Sequence, residues 1–114
     1  MKLDRIIKEL GLTFASAQQR VSEIEVRGGY ASDLLSDVIA NAKEGYLWVT
    51  LQTHANILAV AKLKDLAAIV LVNKRKPDAD TLARAEKEKI VLLVSDLPAF
   101  DLVGKLYEMG LRGV

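Results

Sequence analysis

The amino-acid sequence predicts a three-layer, Rossmann-like α/β fold, with a mostly parallel sheet of about four strands and helices on both faces. Short apolar runs alternate along the chain with segments whose apolar residues recur at helical spacing. Short connections containing glycine or proline separate these elements. Four consecutive β-α units of this kind form a parallel sheet with right-handed crossovers. Because 51% of the 114 residues are hydrophobic, which is enough for a core without disulfides, we expect residues 1–114 to form one domain.

The beginning of the chain predicts a helix, a strand and a tight turn. MKLDRIIKELGL spaces its apolar residues as one face of an amphipathic helix, which Gly11 ends. A polar connector follows around residues 16–20, and SEIEVR then alternates apolar and charged residues, as a half-exposed strand does. Gly28 and Gly29 are predicted to form the turn into a helix that spans about Ser32 to Lys43, with Ser32 as its N-cap.

The remaining segments continue the alternation. YLWVTL, residues 46–51, is apolar on both faces and predicts a buried strand, and THANILAVAKLKD predicts a well-buried helix. AAIVLV and IVLLVS predict two more buried strands, and the charged segment DADTLARAEKEK between them predicts a helix that faces solvent. Pro98 begins the last helix, which Gly110 ends.

The composition narrows the classes of function. A formal net charge of +1 provides no general field for nucleic acid or an anionic membrane surface, so we expect neither partner. The chain has no cysteine, which excludes thiolate nucleophiles, disulfides and cysteine-bound metal clusters. No signal-like or membrane-spanning segment is recognisable, and we expect a cytoplasmic protein.

The predicted topology brings four loops to one edge of the sheet, where ligands of open α/β folds bind. These loops offer backbone amides, hydroxyls, amide groups, one imidazole and a basic cluster that could hold a phosphate or a carboxylate. We therefore predict a site for a small anionic ligand, formed by Gly28, Gly29, Ser32, Thr53, His54, Asn56 and Lys74.

Each of these features also has a simpler interpretation. The two glycines could be present only because the backbone there has a positive φ angle or because chain segments approach closely. The phosphate-binding patterns that would favour a nucleotide, G-x-G-x-x-G and the Walker lysine, are both absent. The basic residues 74–76 could be a solvated loop. His54, the only histidine, has no partner that the sequence identifies, so we predict no catalytic residue. Asp33 and Asp37 are expected on one helical face, but without further acidic ligands we predict no metal site and no cofactor.

Several runs resemble the DRTGG domain family over nearly the whole chain, in particular GGYASDLLSDVIANAKEGYLWVTLQTHANILAVA, AAIVLVN, PDADTLARAEKEKIVLLVS and FDLVGKLYEMG. Of the motif that names the family, only Gly28 and Gly29 match in the segment 25–29. The family occurs as small stand-alone proteins, beside CBS domains in regulated pyrophosphatases, and in phosphate acetyltransferases, and it is similar to the amino-terminal domain of HPr kinase. The resemblance implies a Rossmann-like fold, a tendency to form homodimers and a regulatory role. Similar stand-alone members accompany iron-hydrogenase systems.

Three hypotheses follow. The first is a non-catalytic regulatory domain, a homodimer that senses a small anionic ligand, with an adenine nucleotide as one candidate. The second is an accessory subunit that docks on a larger redox enzyme of the hydrogenase type, or on a phosphotransfer enzyme, through an exposed apolar helix face and the segment LYEMGLRGV. The third, which we consider the weakest, is a small enzyme that uses His54 and Asp96.

Overall fold

Strands and helices alternate along the chain around one sheet. The computed structural model describes the backbone of residues 1–114 and every side chain except those of Gln19 and Arg20. In chain order the elements are α1 (Leu3–Leu10), β1 (Thr13–Ser16), a 3₁₀ helix (Gln18–Glu23), β2 (Gly28–Ala31), α2 (Leu35–Asn41), β3 (Tyr46–Thr50), α3 (Asn56–Leu63), β4 (Ala68–Leu71), α4 (Ala79–Glu88), β5 (Leu92–Val94) and α5 (Ala99–Glu108).

The sheet has five strands in the order β1-β5-β4-β3-β2. Strands β2 to β5 are parallel, and β1 pairs antiparallel with β5 at the other edge. The predicted mostly parallel sheet and its four β-α units are confirmed. The sequence did not predict β1, because its four residues are mostly exposed or half-buried and carry no long apolar run.

Helices cover both faces of the sheet. Helices α1 and α5 pack on one face, around a core that includes Ile6, Leu47 and Leu102. The crossover helices α2, α3 and α4 pack on the other face, around Trp48 and Ile57. The three-layer architecture is therefore confirmed.

The segment SEIEVR does not form the predicted strand. The alternation of apolar and charged residues did indicate burial correctly, because the Val26 side chain lies in the core. The segment nevertheless pairs with the beginning of the chain rather than with the sheet: the Val26 amide donates to the carbonyl oxygen of Met1 at 2.7 Å, and Lys2 and Glu25 form an isolated bridge.

The predicted turn at the glycine pair is also wrong. Gly28 and Gly29 lie inside β2, in register with Tyr46 and Leu47 of β3. The following helix begins at Leu35, and Leu34 is its N-cap without a side-chain cap. Residues 32–34 stay non-helical, so the loop after β2 is shorter and starts later than the sequence predicted.

The connectivity determines what kind of site the sheet can form. All three crossovers between parallel strands place their helices on the same face, so the order of β2 to β5 never reverses. A reversal of strand order is what opens the ligand crevice of doubly wound folds. The four parallel strands therefore end at a continuous edge rather than at a crevice. None of the helices is both long and apolar enough to cross a bilayer, over the residues that the structure describes.

Candidate functional site

The loops that follow β2, β3, β4 and β5 meet at one edge of the sheet, and hydrogen bonds join them. The Gln52 side-chain amide donates to the carbonyl oxygen of Asp33 at 2.9 Å, which joins the first two loops. The amide of Asp78 donates to the carbonyl oxygen of Thr53 at 3.2 Å, and the amide of Lys74 donates to that of Ser95 at 2.9 Å. Four predicted site residues lie on these joined loops, namely Ser32, Thr53, His54 and Lys74, and a fifth, Asn56, is the first residue of α3.

The Asp33 carboxylate connects the loop after β2 to the loop after β3. One oxygen of its carboxylate accepts hydrogen bonds from the Thr50 hydroxyl at 2.8 Å and from the Leu51 amide at 2.7 Å. Thr50 is only 2% exposed, so this bond satisfies a buried hydroxyl. Sequence reasoning missed the role of Asp33 because it assigned the residue to a helix, where it would have faced Asp37.

Asp37 instead belongs to a separate polar cluster at the start of α2. Hydrogen bonds from Ser32, Tyr30 and Asn41 lower the pKa of its carboxyl below the ordinary value. The Tyr30 hydroxyl donates to this carboxylate at 2.8 Å, and that bond raises the pKa of Tyr30. The expected common helical face for Asp33 and Asp37 is wrong, since α2 begins at Leu35 and the two carboxylates bind different partners.

A shallow pocket of about 180 Å³ opens between the first two loops and the start of α5. Its lining mixes apolar side chains with a few polar groups: Ala31, Ser32, Asp33, Val49, Thr50, Leu51, Val72 and Ala99. Sites for drug-sized ligands usually measure about 300–1,000 Å³. A nucleotide would therefore lie mostly across the edge, and the Asp33 carboxylate would keep phosphates away from the pocket itself.

His54 is exposed and lies two residues before Asn56, the first residue of α3. Its Nδ1 accepts a hydrogen bond from the Asn56 amide at 3.1 Å, so the neutral imidazole carries its proton on Nε2. Among the described side chains, no carboxylate hydrogen-bonds to His54, and the oriented partner that a general base needs is missing. Nε2 is left as a donor for a ligand.

The basic loop 74–76 offers side chains but few backbone groups. Asn73 and Lys74 both have left-handed backbone conformations, with φ of 59° and 57°. The amides of Asn73, Lys74 and Arg75 donate to carbonyl oxygens within the protein, so they are not free to bind an anion. The three cations themselves are exposed, and no ion pair in the described part of the chain engages them. Any contact with an anion at this loop would come from flexible side chains.

The glycine pair lies away from these loops, at the beginning of β2, where residues 111–113 cover it. We call residues 111–113 the closing segment. A Cβ atom on Gly28 would lie 2.6 Å from the Tyr46 ring and 2.7 Å from the carbonyl oxygen of Arg112. A Cβ atom on Gly29 would lie 3.2 Å from Leu111 Cδ2. The glycines therefore serve the close approach of chain segments, which was the simpler of the two interpretations.

Comparison with known proteins gives one informative similarity. The fold is similar to that of the CBS and DRTGG domains of the regulatory region of Clostridium perfringens pyrophosphatase, solved in complex with the activator diadenosine tetraphosphate. The TM-score is 0.69 at 14% sequence identity, over 90% of this chain and 44% of that chain. No family model and no curated protein matches the sequence. The fold expected from the resemblance is thus confirmed: the chain has a DRTGG-like fold and spans less than half of that neighbour.

Proposed function

We propose that this chain is a non-catalytic regulatory domain that binds a small anionic ligand at the carboxyl ends of β2 to β5, with an adenine nucleotide as the first candidate. The observation that carries the proposal is the similarity of its fold to a regulatory region whose activator is diadenosine tetraphosphate. Such a ligand has phosphates that cations attract and bases that present hydrogen-bonding edges. We also propose that residues 1–114 act as one domain, in the cytoplasm.

Side chains from three loops would provide the contacts. Lys74 and the two cations after it would meet the phosphates, because the amides of their loop are already bonded. His54 Nε2 and the side-chain amide of Asn56 would donate from the neighbouring loop, with Ser32 and Thr53 at its border. Gly28 and Gly29 could touch a ligand only if the closing segment moved, so the proposal rests on the other five residues.

The non-catalytic part of the proposal has its own support. One ring nitrogen of His54 accepts a hydrogen bond from the Asn56 amide, and no carboxylate within the described residues orients the ring. Asp96, its partner in the enzyme hypothesis, is exposed. A binding role requires neither an oriented base nor an activated nucleophile.

A second candidate function is docking as an accessory subunit on a larger redox enzyme of the hydrogenase type, or on a phosphotransfer enzyme. The exposed apolar side chains of α5 favour it, because isolated apolar residues are normal on a surface but several on one helix mark a contact face. The same face would serve the homodimer that we also propose.

Thermal unfolding against adenine nucleotides, dinucleotides, acyl phosphates and inorganic phosphate tests the first proposal. A ligand that binds the native state at about a hundred times its dissociation constant adds roughly 2.7 kcal/mol to the free energy of unfolding. We expect one compound of the panel to give a saturable shift that Lys74→Ala and His54→Ala both reduce. Lys8→Ala, which removes an exposed cation from α1, is the matched control and should leave the shift unchanged. The absence of a shift across the panel, or a shift that neither variant alters, would contradict the proposal.

A further inference from the structure

The Asp33 carboxylate has one oxygen that no described group of the protein engages. Its Oδ1 accepts two hydrogen bonds, from the Thr50 hydroxyl at 2.8 Å and from the Leu51 amide at 2.7 Å. No hydrogen bond or ion pair reaches Oδ2 from any residue whose side chain the structure describes. The two bonds fix the orientation of the carboxylate, so Oδ2 is a positioned acceptor whose hydrogen-bonding capacity is unused.

This oxygen is the polar group that the pocket of about 180 Å³ offers to a ligand. Asp33 is the one charged residue among the described residues that line it. The Thr50 hydroxyl donates to Asp33 and also accepts a bond of 3.2 Å from the backbone amide two residues later. The Ser32 hydroxyl accepts from the Leu34 amide at 3.2 Å and binds the Asp37 carboxylate. Both hydroxyls of the lining are therefore engaged within the protein.

The chemistry of the pocket selects uncharged groups that donate hydrogen bonds. An ionised carboxylate accepts but does not donate, and it repels phosphates at short range. Apart from Asp33 and the two hydroxyls, the lining side chains are aliphatic, so they offer no aromatic ring on which a base could stack. A ribose ring fits these conditions, because it presents two neighbouring hydroxyls on an uncharged ring of mostly carbon atoms.

The basic loop 74–76 lies next to the pocket. Val72 belongs to the lining, and Lys74 follows it by two residues. The Asn73 amide donates to the carbonyl oxygen of Leu97 at 2.8 Å, which keeps this loop beside the chain that leads into α5. In a nucleotide the ribose stands between the phosphates and the base. The group of the ligand nearest to phosphates held by this loop is therefore the sugar.

We propose that this pocket binds the ribose of a nucleotide, with the 2′ and 3′ hydroxyls donating to Asp33 Oδ2. The inference rests on the proposed function and adds to it the part of the ligand that the pocket recognises. The phosphates extend to Lys74, and the base lies outside the pocket, across the edge of the sheet. The carboxylate thus selects ribonucleotides over inorganic phosphate and acyl phosphates, which have no such pair of hydroxyls.

Calorimetric titration of the wild-type chain with ATP and AMP, each beside its 2′,3′-dideoxy counterpart, tests the ribose contact. Each pair has the same base and the same phosphates, so the ratio of the two dissociation constants reports the hydroxyls alone. Loss of hydrogen bonds to a charged acceptor should weaken binding by about tenfold or more. ITP and IMP, in which a carbonyl oxygen replaces the amino group of adenine, should lose less affinity than the dideoxy compounds.

Asp33→Asn tests the acceptor itself. The amide oxygen can keep the bonds to Thr50 and Leu51, while the amide nitrogen places donors where Oδ2 accepts. The ratio of the dissociation constants should fall to about one. Asp96→Asn, at an exposed carboxylate of the same sheet edge, is the matched control and should keep the wild-type ratio. Removal of a negative charge favours every phosphate-bearing ligand in both variants, and the ratio cancels this effect.

The outcomes separate this inference from the proposal on which it rests. Equal affinity for a nucleotide and its dideoxy counterpart would overturn the ribose contact and leave the regulatory site standing. A ratio that Asp33→Asn leaves unchanged would also overturn it, because the hydroxyls would then be bound elsewhere. Inosine nucleotides that bind more weakly than the dideoxy compounds would place the base in the pocket instead. No affinity for any of these nucleotides would overturn the ribose contact together with the adenine-nucleotide candidate.

Discussion

The amide of Gly29 donates a hydrogen bond of 3.0 Å to the carbonyl oxygen of Arg112. This bond joins strand β2, at the edge of the sheet, to the closing segment 111–113. The Tyr46 hydroxyl adds a second bond, to the carbonyl oxygen of Gly113 at 3.1 Å. Leu111 packs into the core beside α5. The glycine pair, which the sequence suggested as a phosphate cradle, is therefore the place where one chain segment covers the edge of the sheet.

Gly28→Ala should destabilise the protein by about 1–3 kcal/mol, because overpacking of this kind forces neighbouring groups to move. The added Cβ would lie 2.6 Å from the Tyr46 ring and 2.7 Å from the carbonyl oxygen of Arg112, and the second of these is backbone. Chemical denaturation at a concentration where the chain is monomeric measures the change in the free energy of unfolding.

Gly104→Ala is the matched control for that substitution. A Cβ on Gly104 would have no heavy atom within 4 Å, and the residue lies inside α5. Alanine should therefore raise the free energy of unfolding by about 0.5–1 kcal/mol. If the two alanine variants are equally stable, the close approach at Gly28 is not as the structure describes it.

Leu111→Ala should loosen the closing segment. Loss of a buried leucine side chain costs about 2–5 kcal/mol. We expect the amide of Gly29 to exchange its hydrogen faster than in the wild type, since its acceptor belongs to that segment. Hydrogen exchange followed by NMR measures this. The amide of Ile69, which bonds to Val91 in the centre of the sheet, is the internal reference. An equal acceleration at both amides would mean that the segment opens only with the whole fold.

Asp33→Ala should destabilise the protein by about 1–3 kcal/mol, because it leaves the buried Thr50 hydroxyl without its acceptor. Asp96→Ala, at an exposed carboxylate of the same sheet edge, should change stability by less than about 0.5 kcal/mol. Urea denaturation of both variants gives the comparison. A double-mutant cycle with Thr50→Val then measures the coupling free energy between Asp33 and Thr50. A coupling of zero would show that the Asp33 carboxylate does not stabilise this contact between the loops.

Asp37→Asn should lower the pKa of Tyr30 toward its ordinary value of 10.0, because the bond to the Asp37 carboxylate is the main cause of the raised pKa. The chemical shifts of the tyrosine ring carbons across a pH titration measure it. Asp4→Asn, on α1, is the control and should leave the titration of Tyr30 unchanged.

The contact between Tyr30 and Asp37 also predicts how the free energy of unfolding depends on pH. The raised pKa of Tyr30 means that its contribution is complete below pH 10.0 and is lost as pH rises through the folded-state pKa. The lowered pKa of Asp37 means that its contribution is present above the ordinary value of 3.8 and is lost as pH falls through the folded-state pKa. Asp37→Asn should remove the dependence at low pH and reduce the one at high pH, because burial still raises the pKa of Tyr30. A stability profile that the substitution leaves unchanged would contradict the assignment.

Local sequence patterns were sufficient for most of the fold. Residues 46–51 are apolar on both faces because both faces of β3 are covered, and this is visible without any knowledge of its neighbours. Strand β1 was missed because its stability comes from pairing with β5, far along the chain, rather than from its own four residues. The alternation around Val26 indicated burial correctly but could not say that the partner was Met1 rather than the sheet.

The positions of some candidate site residues were predictable, because they depend only on the topology of the sheet. Ser32, His54 and Lys74 follow parallel strands, so the order of the elements brings them to one edge. The role of Gly28 was not predictable, because the groups that require a glycine there belong to Tyr46 and Arg112, which are distant in sequence. Asp33 was missed because a helix-like pattern extended across a loop whose shape depends on Thr50.

The closing segment also has a consequence for synthesis on the ribosome. Strand β2 emerges early, but residues 111–113, which cover its outer edge, are made more than 80 positions later. Strand β1 is likewise made long before β5, the strand with which it pairs. Both borders of the nascent sheet therefore stay open to other chains until β5 and residues 111–113 have been made, and unpaired strand edges are sites of aggregation. Ribosomes that stall before residue 111 would release chains whose β2 is uncovered, so we expect such products to depend on chaperones more than chains that contain residues 111–113 do.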